Sequence, residues 1–382
     1  MDIKKAYIKQ ALEAIDFKQF TDIQSAIIPK ARNRIDIVGT SRTGTGKTHA
    51  FLIPIFERLD FKSNTLQVLI MAPTRELAQQ IVNMARHIAS FSDETIDIKL
   101  FAGGKDRQKE IDALTRKQPA IAVGTPGRIH DLVVKTNVLK AYTAHTLVID
   151  EADMALEIGF LSDIDAVARV MPKELHMMVF SATIPEKLKP FLRKYLHNPH
   201  TVALQDSDWA KLDLTHRFIK VRDLQERDKA LHDTLKTINP YLAMIFANRK
   251  ETVERLSKIL YEAGYDVLPL HGDLPPRKRK QVLRDIDNLR VTYIVASDMA
   301  SRGLDIKGIS HIINYELPQD PAFFVHRIGR SGRMGASGTV ISLYDDKDTK
   351  TIDYIERHGL KIDGSKQKRM HAPHKKDTKR RG

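Results

Sequence analysis

The segment SRTGTGKT, residues 41–48, places glycines, a lysine and a threonine at a spacing suited to phosphate binding. It follows an apolar run typical of a strand and precedes a segment with helical periodicity, so it lies where a strand passes into a helix. Gly44 and Gly46 let backbone N–H groups turn toward phosphate oxygens at the helix amino terminus. Lys47 can reach the β and γ phosphates, and Thr48 can ligate Mg²⁺. The segment therefore predicts a nucleoside triphosphate site.

A second group of candidate residues follows the apolar run TLVI, where Asp150 and Glu151 begin a short acidic stretch. Asp150 is suited to holding Mg²⁺ through water, and Glu151 is suited to taking a proton from an attacking water. Carboxylates at a strand end are also common as helix caps or solvated loop residues, so this pattern alone leaves both interpretations open. Together with the phosphate loop, it predicts hydrolysis of the triphosphate.

Composition narrows the class of protein and of partner. A chain of 382 residues is long enough for two domains, and Lys plus Arg exceed Asp plus Glu by 62 to 48, which favours a polyanionic partner. Cysteine is absent, so disulfides and thiolate metal sites are excluded. The amino-terminal residues predict an amphipathic helix rather than a signal peptide, and no apolar run approaches the ~20 residues of a membrane span. We expect a cytoplasmic protein that does not contact membranes.

Short apolar runs alternate with helical segments in both halves of the chain, which predicts an α/β fold with one parallel sheet in each half. We place the first domain at residues 1–205, a linker at 206–214, the second domain at 215–358 and a basic tail at 359–382. The tail from Lys361 has nine Lys or Arg against two Asp, so we expect it to be flexible. The candidate strands are residues 35–40, 67–73, 120–126, 146–150 and 177–183 in the first half, and 242–248, 265–272, 291–298, 311–318 and 338–346 in the second.

The sequence DEAD at residues 150–153 resembles motif II of the DEAD-box ATP-dependent RNA helicases. Other motifs of that family follow the same order from Phe17 to Arg333: FTDIQ, SRTGTGKT, PTREL, TPGR, SAT, SDMASRGLD and HRIGRSGR. The resemblance is to a compact bacterial-type member. It implies two tandem RecA-like domains, ATP hydrolysis coupled to RNA binding, and local separation of RNA strands.

The resemblance also implies roles for residues at the ATP site. The catalytic residues are Lys47, Asp150, Glu151, Arg330 and Arg333, with the two arginines supplied by the second domain as arginine fingers. Mg²⁺ is held by Thr48 and Asp150. The chain departs from the family pattern at three positions. Asp16 and Ser41 stand where glycine is usual, and Phe20 stands where proline is usual. The nucleotide-binding residues are Phe17, Gln24, Ser41, Thr43, Gly44, Thr45, Gly46, Lys47, Thr48 and Asp305.

A further set of residues is expected to grip RNA through its phosphates and sugars, which carry no base sequence. Ser297 replaces a usual threonine, and Pro276 stands where a glutamine is usual. The expected coupling residues between ATP and RNA are Asp153, Ser181, Thr183 and His326. The expected RNA-binding residues are Pro73, Thr74, Arg75, Gly104, Thr125, Gly127, Arg128, Arg279, Ser297 and Asp298.

We therefore expect a monomeric enzyme that uses ATP and Mg²⁺ on single-stranded or duplex RNA, with ribosomal or mRNA-decay complexes as partners. Two other functions stay open at this point. An ATP-gated RNA clamp or annealing factor would share every motif, and a metabolic phosphotransferase would share the phosphate loop but leave the second-domain arginines without a role. Charge alone also permits DNA as the substrate, and only the family resemblance favours RNA.

Overall fold

The computed structural model describes residues 2–41, 45–104, 106–203, 214–301, 306, 308–331 and 337–362. The chain divides into two compact units. The first contains Met1–Gln205, and the second contains Asp206–Ala300 and Gly308–Gly382.

The first unit has a parallel sheet, which in the described residues has seven strands in the order β3-β4-β2-β5-β6-β1-β7. Its strands are β1 (Ile37–Thr40), β2 (Val68–Met71), β3 (Ile98–Phe101), β4 (Ile121–Gly124), β5 (Thr146–Ile149), β6 (His176–Ser181) and β7 (His200–Ala203). Its helices are α1 (Ala6–Glu13), α2 (Asp22–Arg32), α3 (Lys47–Arg58), α4 (Arg75–Ala89), α5 (Arg107–Arg116), α6 (Pro126–His130), α7 (Ala152–Glu157), α8 (Leu161–Val170) and α9 (Lys189–Tyr195).

Both faces of this sheet are buried, because the side chains of each central strand alternate between two hydrophobic clusters. In β2, Val68 and Ile70 belong to the cluster that contains residues of α3 and α4. Leu69 and Met71 belong to the cluster that contains residues of α8. Central strands buried on both faces are therefore mostly apolar, as is typical of parallel sheets.

The second unit has a parallel sheet of six described strands in the order β10-β11-β9-β12-β13-β8. Its strands are β8 (Leu214–Lys220), β9 (Ala243–Phe246), β10 (Val267–Leu270), β11 (Tyr293–Ala296), β12 (His311–Asn314) and β13 (Gly338–Tyr344). Its helices are α10 (Leu224–Thr237), α11 (Lys250–Glu262), α12 (Pro276–Asp287), α13 (Asp298–Ser301), α14 (Ala322–Ile328) and α15 (Thr349–Arg357).

The predicted α/β class with one parallel sheet in each half is confirmed, and every candidate strand overlaps a strand. The sequence analysis missed β3, β7 and β8. All three are edge strands, and each exposes residues within its length, so none forms the continuous apolar run that identified the central strands.

Two limits set from the sequence differ from the structure. Leu214, assigned to the linker, is the first residue of β8. Ile362, assigned to the flexible tail, is 6% exposed and therefore packed. The rest of that linker, and the tail from residue 363, lie outside the described residues.

None of the helices in the described ranges is long and apolar enough to cross a membrane.

Close contact between β3 and β4 requires a glycine at position 124. A Cβ there would lie 2.3 Å from the carbonyl oxygen of Phe101 and 2.8 Å from Ile129 Cδ1. Gly124→Ala should lower the free energy of unfolding by about 2 kcal/mol, because the backbone must shift to relieve the overlap. The measurement is urea unfolding of the full chain. Gly103→Ala is the control, since nothing lies within 4 Å of a Cβ at that position. Equal stability of the two variants would contradict the prediction.

Candidate functional site

Three neighbouring strands of the first sheet end at the first part of the site. The order β5-β6-β1 brings the carboxyl ends of these strands side by side. Asp150 follows β5, Ser41 follows β1, and Ser181 is the last residue of β6. The Ser41 N–H donates to the Ser181 carbonyl at 3.1 Å. Ligands of open α/β sheets bind at such carboxyl edges.

Lys47 and Glu151 form a buried ion pair at this edge. The Lys47 ammonium lies 3.2 Å from Glu151 Oε1 and donates to the Ser41 carbonyl at 2.9 Å. The Lys47 and Glu151 side chains are 5% and 8% exposed. Burial lowers the pKa of Lys47, but the charges of Glu151, Asp150 and Asp153 outweigh it, so the pKa is raised. Lys47 therefore stays cationic among three carboxylates.

Asp150 has a perturbed pKa, and Glu151 has an unusual backbone conformation. Burial, followed by the charge of Glu151, raises the pKa of Asp150 to about 7. Asp150 Oδ1 accepts a hydrogen bond from the Glu151 N–H at 3.1 Å. Glu151 has a φ of 50°, a left-handed conformation that costs a non-glycine residue about 1–3 kcal/mol. The half-buried Thr48 lies in the first turn of α3, next to Lys47.

Residues upstream of the sheet hold the end of the phosphate loop. Gln24 Nε2 donates to the Gly46 carbonyl at 3.0 Å, and the Thr21 hydroxyl donates to the Thr45 carbonyl at 2.9 Å. Gln24 Oε1 in turn accepts from the Thr21 N–H at 2.9 Å. Gly46 has a φ of 91°, and a Cβ there would lie 2.3 Å from Gln24 Nε2. Both ends of the Gln24 amide are therefore bonded within the chain.

Phe17 lies beside the same loop and is partly buried against the first core. Its ring centroid is 5.3 Å from that of His49 and 6.3 Å from that of Phe20, both in edge-on geometry. Ser41, which stands where glycine is usual, places its hydroxyl 2.8 Å from the Thr45 hydroxyl.

Asp153 is bonded to the end of β6. Its N–H donates to the Ser181 hydroxyl at 3.0 Å. Its Oδ2 accepts from both the N–H and the hydroxyl of Thr183, each at 3.0 Å. The acidic loop and the SAT segment are thus one hydrogen-bonded unit.

The other half of the same sheet edge holds residues expected to contact RNA. The order β3-β4-β2 places the loops after these strands next to one another. Pro73 is buried, and Thr74 caps α4 by accepting from the Leu77 N–H at 3.2 Å. A Cβ at Gly104 would lie 2.6 Å from Arg75 Nη1, so the exposed Arg75 guanidinium lies directly against Gly104.

Thr125 and Gly127 lie at the start of α6, after β4. Arg128 follows them in α6 and is 11% exposed. Its Nε donates to Glu110 Oε2 at 2.8 Å, and its Nη1 lies 3.6 Å from Asp131 Oδ2. Its guanidinium is therefore paired with acids of the first unit.

In the second unit, Arg279 of α12 donates to the Ala300 carbonyl of α13 at 3.0 Å. This contact brings Arg279 close to the loop of Ser297, which follows β11, and Asp298, which begins α13. The Asp298 carboxylate accepts two hydrogen bonds from Arg327, at 2.6 and 2.7 Å. Arg327 is 1% exposed.

The remaining predicted residues lie around α14. His326 is 8% exposed, and its ring centroid is 5.9 Å from that of Phe323. Arg330 is 3% exposed and follows the helix cap Gly329, so Arg330 lies beyond the end of α14. Four predicted residues lie outside the described residues: Thr43, Gly44, Asp305 and Arg333.

Two residues of this site, Thr21 and Arg327, were missed in the sequence analysis. Thr21 and Gln24 fit the Thr-x-x-Gln pattern of a helix start, which could have marked Thr21. Arg327 also donates to Asn314 Oδ1 at 3.2 Å and to Asn248 Oδ1 at 2.8 Å. Arg327 stands in the mostly apolar segment FFVHRI. An arginine in such a segment indicates a buried charge, which needs a partner.

Comparison with known proteins places these features in a family. The DEAD/DEAH box helicase model matches residues 21–191, and the helicase conserved C-terminal domain model matches residues 226–335. The DEAD-box ATP-dependent RNA helicase CshB of Bacillus subtilis is 44% identical over 94% of this chain and 82% of its own length. CshB of Listeria monocytogenes is 44% identical over 93% of this chain and 81% of its own length.

A solved structure also matches both units. S. cerevisiae Dbp5 bound to RNA and ADP BeF3 matches with a TM-score of 0.82 and 27% identity, over 93% of this chain and 91% of that chain. The two parallel-sheet units are accordingly RecA-like domains, and the expected fold is confirmed. The chain belongs to the DEAD-box ATP-dependent RNA helicases, which are ATP-hydrolysing enzymes.

Proposed function

We propose that this helicase hydrolyses ATP at the carboxyl edge of β1, β5 and β6, with Lys47 and Glu151 as the central pair. The buried contact of 3.2 Å between these two residues carries the proposal. A triphosphate oxygen is a stronger partner for the Lys47 ammonium than the Ser41 carbonyl. ATP would therefore draw Lys47 toward the phosphates and free the Glu151 carboxylate to take a proton from the attacking water.

The nucleotide is assigned to the residues around this pair. Phe17 and Gln24 would contact the adenine, and the backbone of residues 41–48 would hold the phosphates. Asp305 is assigned to the ribose. Arg330 and Arg333 are the proposed arginine fingers, which would act once ATP and RNA draw the two domains together.

The residues at the site suit Mg²⁺. Mg²⁺ in proteins commonly takes one or two carboxylates and completes its shell with substrate phosphates and water. Asp150 offers a buried carboxylate whose ionised form a cation would favour, and Thr48 offers a hydroxyl. Among the described residues, no three His, Asp or Glu side chains are grouped to hold a metal by themselves. When bound, Mg²⁺ would neutralise charge on the phosphates.

RNA is proposed to lie along the loops after β2, β3 and β4 and along the loop of Arg279, Ser297 and Asp298. The relatives are named RNA helicases, and the excess of 62 basic over 48 acidic residues suits a phosphate backbone. Asp153, Ser181 and Thr183 would transmit the state of the ATP site, together with His326. Since ATP and RNA would each favour the same closed state, RNA should stimulate hydrolysis.

Three wider features belong to the same proposal. The enzyme is expected to act as a monomer, in the cytoplasm, on RNA of ribosomal or mRNA-decay complexes. The absence of cysteine suits a reducing compartment. The proposed domain limits are those set from the sequence, with the second domain extended to include Leu214 and Ile362.

Glu151→Gln should reduce RNA-stimulated ATP turnover by at least about 100-fold, because the amide cannot accept the proton. ATP and RNA binding should persist. The measurements are steady-state ATPase rates with single-stranded RNA and equilibrium binding of both ligands, with Lys47→Ala expected to abolish turnover. Glu186→Gln is the control, since that side chain is 84% exposed. Loss of binding together with turnover would assign Glu151 a structural role instead.

Thr183→Val should lower the RNA-stimulated turnover about tenfold, because it removes one hydrogen bond to the Asp153 carboxylate. The KM for ATP should stay within about twofold, because the Lys47 site keeps its contacts. Thr115→Val is the control, since its hydroxyl donates to the Ile111 carbonyl within the same exposed helix. Unchanged turnover in Thr183→Val would exclude a coupling role for this hydroxyl.

Asp298→Asn should lower the free energy of unfolding by about 3 kcal/mol, because Asp298 is the one carboxylate that pairs with the buried Arg327 among the described residues. Urea unfolding of the full chain measures this, and the exposed Asp287→Asn is the control. An unchanged unfolding transition with weaker RNA binding would show that Asp298 acts on RNA alone.

A further inference from the structure

Four basic residues meet at the amino edge of the first sheet, opposite the ATP site. Arg34 precedes β1, Arg58 is the last residue of α3, His145 precedes β5, and His176 is the first residue of β6. We call these four residues the basic cluster. None of them has a role in the proposed function. β6 runs from the basic cluster to Ser181, so about 17 Å separates the cluster from the ATP edge at 3.3 Å per residue.

The contacts of Arg34 and Arg58 show that these two residues are close together. The carbonyl of Ala31 accepts from the Arg34 N–H and from Arg58 Nη1, both at 3.2 Å. Arg34 has a φ of 56°, a left-handed conformation that an L-residue adopts at a cost. The Arg58 guanidinium and the Arg34 backbone therefore meet at the end of one helix.

The two histidines are tied to the same place. His176 Nε2 lies 3.0 Å from the Ile35 carbonyl, next to Arg34, and His176 Nδ1 lies 3.4 Å from Arg58 Nη1. The backbone N–H of His176 donates to the His145 carbonyl at 3.0 Å. With Nε2 as donor to Ile35, Nδ1 is left to accept from Arg58, which is the neutral form of His176.

The part of the chain that the structure describes supplies no carboxylate counter-ion to the two arginines of the basic cluster. Among the described residues, neither Arg34 nor Arg58 has a carboxylate within 4.0 Å, and Arg58 Nη2 is buried without a hydrogen-bond partner. Glu57, beside Arg58 in sequence, bonds to Arg32. Asp36 accepts from the N–H groups of Met177 and His197, each at 2.8 Å. Both acids adjacent in sequence are therefore engaged elsewhere.

The carboxyl end of α2 supplies only part of the missing charge. A helix carboxyl terminus is equivalent to about half a negative charge, whereas two guanidinium groups carry two positive charges. Arg34 is exposed and Arg58 and His145 are half-buried, so the basic cluster reaches solvent. The remaining positive charge is available to an anion from outside the chain.

The titration behaviour of the basic cluster agrees with this deficit of negative charge. Burial, and then Arg34, lower the pKa of Arg58 to about 10. Burial, and then Arg58, lower the pKa of His176 to about 4. The pKa of His145 is lowered by burial and by Arg34 and Arg58. A bound anion would raise all three pKa values.

We propose that the basic cluster is a second oxyanion site, which binds a phosphate group through Arg34 and Arg58 with His145 at its side. Guanidinium groups bind phosphate oxygens with paired hydrogen bonds, and this gives the preference for phosphate over a monovalent halide. The phosphate can come from free inorganic phosphate or from an RNA backbone.

The test follows the pKa of His145 by NMR in the full chain, saturated with ADP and Mg²⁺ so that the ATP site is filled. The His145 signal is assigned by its loss in His145→Gln. One sample receives inorganic phosphate, one receives oligouridylate, and one receives chloride at equal ionic strength. Either phosphate source should raise the pKa of His145 by about 1 unit, and chloride should not.

Variants connect the response to the two arginines. Arg34→Gln and Arg58→Gln should each weaken the phosphate response about tenfold in concentration, because each removes charged hydrogen bonds. Arg116→Gln, an exposed arginine at the end of α5, should respond as the wild type. If Arg58→Gln does not fold, Arg34→Gln alone tests the proposal. Arg34 is exposed, so its replacement should not disturb the fold.

Each outcome bears on the proposal. A response to inorganic phosphate supports a site for free phosphate, and a response to oligouridylate alone supports a site for the RNA backbone. No response to either would overturn the proposal. A response that persists unchanged in Arg34→Gln and in any folded Arg58→Gln would also overturn it.

Discussion

The ammonium group of Lys47 lies between a carbonyl and a carboxylate in a site with almost no solvent contact. Two buried charges are costly to desolvate, and removing either one leaves the other uncompensated. This constraint fixes the first turn of α3 against the loop after β5. In the proposed mechanism, Lys47 exchanges Glu151 for the phosphates of ATP. This exchange holds the phosphates and frees Glu151 to act on the attacking water, so ATP binding sets up hydrolysis.

The order of strands would let one sheet edge serve two ligands. The residues proposed to bind ATP follow β5, β6 and β1, and those proposed to bind RNA follow β3, β4 and β2. β2 and β5 are neighbours, so the two groups of loops meet in the middle of the edge. The bonds from Asp153 to Ser181 and Thr183 lie within the ATP half and connect its acidic loop to β6. The basic cluster uses the opposite edge of the same sheet.

Much of this arrangement could be predicted from the sequence, because short apolar runs ending in glycine or carboxylates mark buried parallel strands and their ligand-binding ends. The strands β3, β7 and β8 could not, because each exposes residues along its length and so lacks a continuous apolar run. The buried pair of Arg327 and Asp298 joins residues 29 positions apart, so no local spacing reveals it. The pairing of Arg128 with Glu110 cannot be predicted from local spacing either, because it depends on how α5 lies relative to α6.

The contact between Gln24 and Gly46 limits how these two positions can vary. The space that a side chain at position 46 would need is taken by the amide at position 24, which also supports the loop carbonyl. A larger residue at 46 demands a smaller one at 24, and the smaller one cannot reach the loop. A single substitution at either position is therefore not neutral. A redesign of the nucleotide pocket has to change positions 24 and 46 together.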